Sequence, residues 1–530
     1  MPDYDVIVVG SGFGGAVTAC RLAEAGARVL VLERGRRWTP ETYPRTLTDP
    51  WFFDDRRPDK ASGWLDLRFF PGMTVAQGAG VGGGSLSYAS VVMPADAERF
   101  ATGWPREITA EAMRPHYARA SATLGAATLP EGQETDRAAI LRRAAAKLGY
   151  EDRYERVPLA IAFDPDFTYD RPDPIDARHA KPFTNAQGVA QATCAHLGNC
   201  HIGCDVKAKN TLDFNYLAAA EAKGAEIRPL HAVRRLAPAD TGWRVEWERV
   251  GGDGEDGLVP GAATADRVVL AAGSLGSTEL LLRGRDRHGT LPRVSARLGH
   301  GWSPNANFMT PAFYPEAVAV NQGIGPLIAS GLSFMDGAVD GQRFYVEDDG
   351  FPNLLLNALA ARLGNGWLAR VFRDRLERGL DEFNPTDRVM LWLGEGVDAG
   401  DGRLRLGRAR LAPWREALKL DWDPGPSRAV FDAIVETHRR LSEVEGGRAK
   451  PPPFWRWFKW LTSVHPLGGC AMADSAEAGV VDHRGEVFGH PGLYVVDGAT
   501  IPRPIGRNPA LTIAALAERA AGLMVEETRP

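Results

Sequence analysis

The first 35 residues constrain the fold more than any other stretch of the chain. Asp5-Val6-Ile7-Val8-Val9 is a short β-branched run that ends in Gly10. Gly10-Ser11-Gly12-Phe13-Gly14-Gly15 then opens a helical run that reaches Ala25 and is closed by Gly26. A second apolar strand, Arg28 to Glu33, follows at once. Strand, glycine turn, helix and strand in about thirty residues form the βαβ unit of a dinucleotide fingerprint. Gly10 makes the tight turn, Gly12 lets backbone N–H groups approach a pyrophosphate, and Gly15 allows the helix to pack closely on the strand. The helix N-terminus favours the anion. Glu33 stands 18 residues beyond Gly15 at the end of the second strand, where a carboxylate can accept the hydroxyls of an adenosine ribose.

Composition narrows the class further. With 62 basic and 67 acidic residues the formal charge is −5, and no basic block is present, so nucleic-acid binding is not expected. The 44% hydrophobic and 24% charged residues are those of an ordinary globular protein. Five cysteines in 530 residues make no disulfide scaffold. The absence of a leader-like segment and of any long apolar run adds to a cytoplasmic expectation.

The glycines cluster. Gln77 to Leu86 holds five of them, and the loop has apolar flanks on both sides (Met73 to Val75 and Tyr88 to Met93), which argues for burial against a flat ring or phosphate. A flexible surface loop is the plain alternative. Asp266 to Gly273 reads as another buried strand ending in a glycine turn, with a helical run after it, so it adds a parallel strand and makes the cofactor domain discontinuous. Cys194, His196, Cys200, His201 and Cys204 lie within eleven residues, but their spacing matches neither zinc pairs nor iron–sulfur runs, and a metal-free structural segment is expected. Between 353 and 380, leucines and aromatics recur near every fourth residue opposite five arginines. That pattern predicts a cationic amphipathic helix that packs on its own domain or serves as a lid or transient membrane-surface contact. The aromatics around Trp455, Trp457 and Trp460 are expected in the core or along a substrate entrance.

Two C-terminal segments carry the chemistry. One is Ser463-Val464-His465-Pro466-Leu467-Gly468-Gly469-Cys470. The other runs from Leu493 through Asp497-Gly498 to Asn508-Pro509 and a helix containing Thr512. Together with Gly80-Val81-Gly82-Gly83-Gly84-Ser85-Leu86, Lys209-Asn210-Thr211-Leu212 and Ala271-Ala272-Gly273, they make the chain resemble the glucose–methanol–choline (GMC) family of flavin oxidoreductases, nearest its bacterial cholesterol-oxidase branch. Glu33-Arg34-Gly35 is likewise similar to FAD-binding oxidoreductases, and no second complete fingerprint exists for NAD(P)H.

The resemblance implies an α/β, overall α+β, architecture: a Rossmann-type FAD domain (1–100, 190–300, 462–530) and a discontinuous substrate domain on a large, mostly antiparallel sheet (101–189, 301–461). It implies FAD, covalent or not, held by Gly10, Gly12, Phe13, Gly14, Gly15, Glu33, Arg34, Gly80, Gly82, Gly83, Gly84, Ser85, Leu86, Val233, Ala272, Gly273, Asp497, Gly498, Asn508, Pro509 and Thr512. It also implies an alcohol substrate, with oxygen or another electron acceptor. His465 is expected as general base or proton relay and Asn508 as donor to the substrate oxygen. Two positions depart from the branch: Tyr88 replaces an asparagine, and leucine stands where a glutamate is expected over the flavin, with Glu347 the nearest acid. The amphipathic run and the lack of charged anchors near His465 favour a bulky, steroid-like secondary alcohol. A sugar or aryl alcohol, with a quinone or protein acceptor, is the alternative.

Overall fold

The computed structural model describes all residues except 47, 252–256, 353–387, 410–413, 453–454, 456–458 and 529–530. The predicted amphipathic helix and Trp457 lie outside the described residues.

The βαβ unit forms as its residues dictate. Tyr4–Val9 and Val29–Leu32 are parallel neighbours, Val6 opposite Val29 and Val9 opposite Leu32, joined by the Phe13–Glu24 helix. The Leu258–Leu270 strand lies parallel on the other side of Tyr4–Val9, and Leu493–Val495 lies parallel beyond it. These strands are apolar on both faces because both are covered: Val6, Val8, Val29 and Val31 cluster with helix residues, and Ile7, Val9, Leu30 and Leu32 cluster with Val233, Leu236, Trp243 and Val245. Phe13–Glu24 shares a buried cluster with Ala510–Thr528 through Ala16, Val17, Ala514 and Ala517. The first half of Leu258–Leu270 turns outward and pairs antiparallel with Trp243–Val250, which in turn pairs with His231–Pro238.

A second, six-stranded sheet is antiparallel throughout, in the order Arg448–Ala449, Phe308–Phe313, Val389–Gly396, Phe344–Asp349, Ser330–Ser333, Tyr154–Arg156. Its back is closed by the Arg428–Glu443 helix, whose Ile434 and His438 fill the space a Cβ at Gly394 would need. Its other face carries Met309, Leu393, Glu347 and Asp349, which alternate with buried neighbours as the period-two geometry of a strand requires. Met309, Leu393 and Asp349 help line the cavity beneath. Trp455 packs edge-on to Phe308 and against Phe431, so it belongs to the core and not to a substrate entrance. Among the described residues, no helix is long and apolar enough to cross a membrane.

Candidate active site

One elongated cavity of about 480 Å³ runs from Glu33 and Arg34, past both glycine loops, to His465 and Asn508. Its walls at the first end come from the βαβ unit. No side chain caps the N-terminus of the Phe13–Glu24 helix at Gly12, which leaves that dipole end to an anion. Gly14 and Gly15 are glycines for another reason. A Cβ at Gly14 would come within 2.1 Å of the Val496 carbonyl oxygen, and one at Gly15 within 2.0 Å of that of Gly10. Gly12 is different, because a Cβ there would meet nothing nearer than Gly83 Cα at 4.0 Å and would project into the groove. The second glycine loop closes the opposite wall: Gly83 has φ +52°, and a Cβ on it would come within 2.6 Å of Gly12 Cα.

Glu33 is buried. Its Oε2 accepts from the Ser11 N–H (3.0 Å) and hydroxyl (2.7 Å), and its Oε1 from the Gly35 N–H (2.9 Å). A carboxylate has about four acceptor sites, so capacity remains at Oε1 for a ribose hydroxyl. Arg34 lines the same end while its Nη1 donates to Asp66 at 2.7 Å. Asp497 ties the end of its strand to the Gly273–Leu282 helix: Oδ2 accepts from the Gly273 N–H (2.8 Å) and the Ser277 hydroxyl (2.5 Å), and Oδ1 from the Ala499 N–H. Burial pushes its carboxyl up to about 6.

Gly10, Gly12, Phe13, Gly14, Glu33, Arg34, Gly83, Gly84, Val233, Ala272, Gly273, Asp497, Gly498, Asn508, Pro509 and His465 all line the cavity. Six residues of the expected set stand behind its wall. Gly15 packs on Gly10, and Gly80 packs on Trp38. The Ser85 hydroxyl donates to the Gly82 carbonyl and accepts from the Leu212 N–H, so Gly82 and Ser85 brace the loop from within. The Leu86 carbonyl accepts from buried Lys209, and the Thr512 hydroxyl bonds Tyr117. Cys194, Cys200 and Cys204 all belong to an apolar cluster around Val157 and Leu159, and burial pushes their thiols up. His196 stacks on Phe167 and bonds Tyr169 and Gln133.

At the far end the hydrogen-bond network fixes which atoms face the cavity. Asn307 Oδ1 accepts from the backbone N–H groups of Val464 and His465, both at 3.0 Å, which sets the amide so that Nδ2 points at His465 Nδ1, 3.0 Å away. An amide nitrogen only donates, so Nδ1 accepts and the neutral ring carries its proton on Nε2. Burial pushes the His465 imidazole down to about 3, which keeps it neutral near pH 7. Asn508 Nδ2 donates to Glu395 Oε1 (2.7 Å) and Glu347 Oε2 (3.2 Å), while its buried Oδ1 has no protein partner. His465, expected as general base or proton relay, thus has its Nδ1 engaged by Asn307, and Asn508, expected as a donor, has its Nδ2 engaged by both glutamates.

Glu395 and Asn307 were not singled out from sequence. Glu395 had a signal: a lone acid inside Val389–Gly396, an otherwise apolar strand, is a buried charge that needs a reason.

A Rossmann-type groove leading to a histidine–asparagine end defines a dinucleotide-dependent oxidoreductase, and the comparisons specify which. The GMC oxidoreductase family matches residues 401–517, and the NAD(P)-binding Rossmann-like domain matches residues 8–54. Cholesterol oxidase of Mycobacterium tuberculosis is 32% identical, covering 98% of this chain and 91% of its own. Cholesterol oxidase of Acinetobacter baumannii is 30% identical, covering 98% and 94%. An FAD-dependent oxidoreductase from Chaetomium thermophilum superposes with a TM-score of 0.64 at 16% identity, over 99% of each chain. The chain belongs to the GMC oxidoreductase family. It is an FAD-dependent enzyme that oxidises an alcohol. The groove fits that cofactor, since Gly12 and Gly84 leave backbone open to it where a Cβ would intrude.

Proposed function

We propose that the substrate is a bulky, apolar secondary alcohol of the steroid type, that His465 and Asn508 grip its hydroxyl, and that the residues lining the groove hold FAD. The observation that carries this reading is the surface beside His465 and Asn508, where Ala89, Val91, Met309, Ile328, Leu393 and Val464 meet. Such a surface excludes water and rewards apolar area at about 25 cal/mol per Å². The similarity to two cholesterol oxidases supports it.

Bound FAD supplies the hydride acceptor. The chain supplies orientation. Asn508 Oδ1 accepts from the substrate hydroxyl, and His465 Nε2–H donates to the same oxygen, stabilising the negative charge it gains as the hydroxyl proton passes to solvent water. Asn307 holds the imidazole in the tautomer this needs.

The test is anaerobic flavin reduction with cholesterol beside a long-chain primary alcohol, an aryl alcohol and a sugar. The sterol should give the highest kcat/KM. His465→Ala should slow reduction by ~10²–10³-fold, as removal of an oxyanion donor does. His465→Gln, which keeps an N–H donor, should recover part of the loss. Equal loss in both variants would mean that the ring acts as a base, and a preference for the sugar would overturn the substrate assignment.

A further inference from the structure

Glu347 and Glu395 sit on adjacent antiparallel strands, and the register places Glu395 opposite Tyr345 and Glu347 opposite Leu393. The two acids are therefore diagonal neighbours on one face of the sheet. Both are fully buried. Both accept from the one Asn508 Nδ2, so the accepting oxygens can be no farther apart than the sum of those two hydrogen bonds. The other oxygen of each, Glu347 Oε1 and Glu395 Oε2, is buried without a partner. Two buried carboxylates this close, each with an orphaned oxygen, are not both ionised, because like charges at short range in a dry site drive a proton onto one of them. Nearby cations are committed elsewhere. Arg507 pairs with Asp96 and Glu155, and Arg137 donates to the carbonyls of Asn321, Ile324 and Pro326.

We propose that Glu347 and Glu395 form a carboxyl pair that carries one proton between them, and that Glu395 is a positioning residue that holds Asn508 with its Oδ1 toward the substrate. The inference rests on the proposed function only for its catalytic consequence. One proton leaves one negative charge to accept firmly from Nδ2, while the second acid bonds the first. A fully protonated pair would offer donors to the amide and favour its flip, presenting Nδ2 to the hydroxyl. A fully ionised pair would act on His465, whose Nδ1 is 3.4 Å from Glu395 Oε1. Other titratable or charged groups that face the pair or flank its strands are Asp348 and Asp349 on the same strand, Tyr345, Arg137, Arg507, Glu155, and His438 behind Gly394. Burial first, and mutual repulsion after it, holds Glu347 far above the usual carboxylate range. Burial raises Glu395 too.

Infrared spectroscopy of the resting FAD-loaded enzyme, without substrate, tests the pair independently of any alcohol. The wild type should show a protonated-carboxyl C=O band at pH 7 that weakens in both Glu395→Gln and Glu347→Gln. Should either variant fail to fold, Asn508→Ala, which removes the shared donor and leaves both acids, must shift that band. No carboxylic-acid band at pH 7, or a band untouched by all three changes, overturns the pair. In anaerobic reduction, Glu395→Gln should lose one limb of the pH profile. Glu395→Leu should lower kcat about as much as Asn508→Ala while leaving KM within about twofold. A Glu395→Leu enzyme with wild-type kcat would overturn the positioning role while leaving the alcohol oxidation itself intact.

Discussion

At the scale of single residues, the site is governed by which hydrogens are already spoken for. Asn307 uses both ends of its amide, two backbone N–H groups on Oδ1 and His465 on Nδ2. Asn307→Ala should therefore destabilise the fold by ~1–3 kcal/mol, since the Val464 N–H loses its acceptor while that of His465 keeps Ser463 Oγ at 3.2 Å. It should also slow flavin reduction by roughly tenfold, the worth of one neutral hydrogen bond. Denaturant titration and stopped-flow reduction check the two effects separately, and a variant with wild-type values in both would remove Asn307 from the account. His465 and Asn508 were legible because their flanking prolines and glycines mark them as loop residues in a known pattern. The identity of the presented atoms was not legible, since it depends on Glu347 and Glu395 from two strands and on Asn307 just before a third. Nothing in the spacing of Asn307, Glu395 and Asn508 announces that they meet at His465; only the folded contacts do.

At the scale of elements, the βαβ unit could be read almost to the residue, because each glycine answers either the packing of the chain on itself, as at Gly10, Gly14 and Gly15, or the need for open backbone, as at Gly12. The demands differ, and the difference predicts a contrast. Gly14→Ala drives a methyl into the Val496 carbonyl and should cost folded protein; Gly12→Ala meets no protein atom closer than 4.0 Å and should fold normally. Yet Gly12→Ala places its methyl where the pyrophosphate is expected, so FAD affinity should fall at least tenfold. Soluble yield and FAD titration of the two variants measure this, and tight FAD binding by Gly12→Ala would move the cofactor off this loop. The antiparallel sheet was named only by resemblance. Its central strands hide their period: Phe344–Asp349 has three consecutive acids, and all six of its residues are buried. An alternating pattern vanishes when both faces are covered and one of them is a polar site.

At the scale of the whole molecule, segments far apart in sequence converge on one cavity, from the first glycine turn to the Asn508 loop. FAD should therefore stabilise the native chain as a unit. Excess FAD at a hundredfold over its Kd should add about 2.7 kcal/mol, seen as a Tm that climbs with FAD concentration, whereas a Tm indifferent to FAD would mean the groove is not its site. Charge, composition and the fingerprint sufficed to place the chain among dinucleotide-dependent enzymes, whereas the proposed substrate choice rests on Met309, Ile328 and Leu393, which line the same cavity as His465 and Asn508. The most direct measurement of the central claim is single-turnover flavin reduction without oxygen, using an alcohol with hydrogen or deuterium on its carbinol carbon. The flavin should bleach, deuterium should slow the bleaching, and His465→Ala should slow it far more. A flavin that stays oxidised with every alcohol, or that bleaches at one rate whatever the isotope, would contradict that claim.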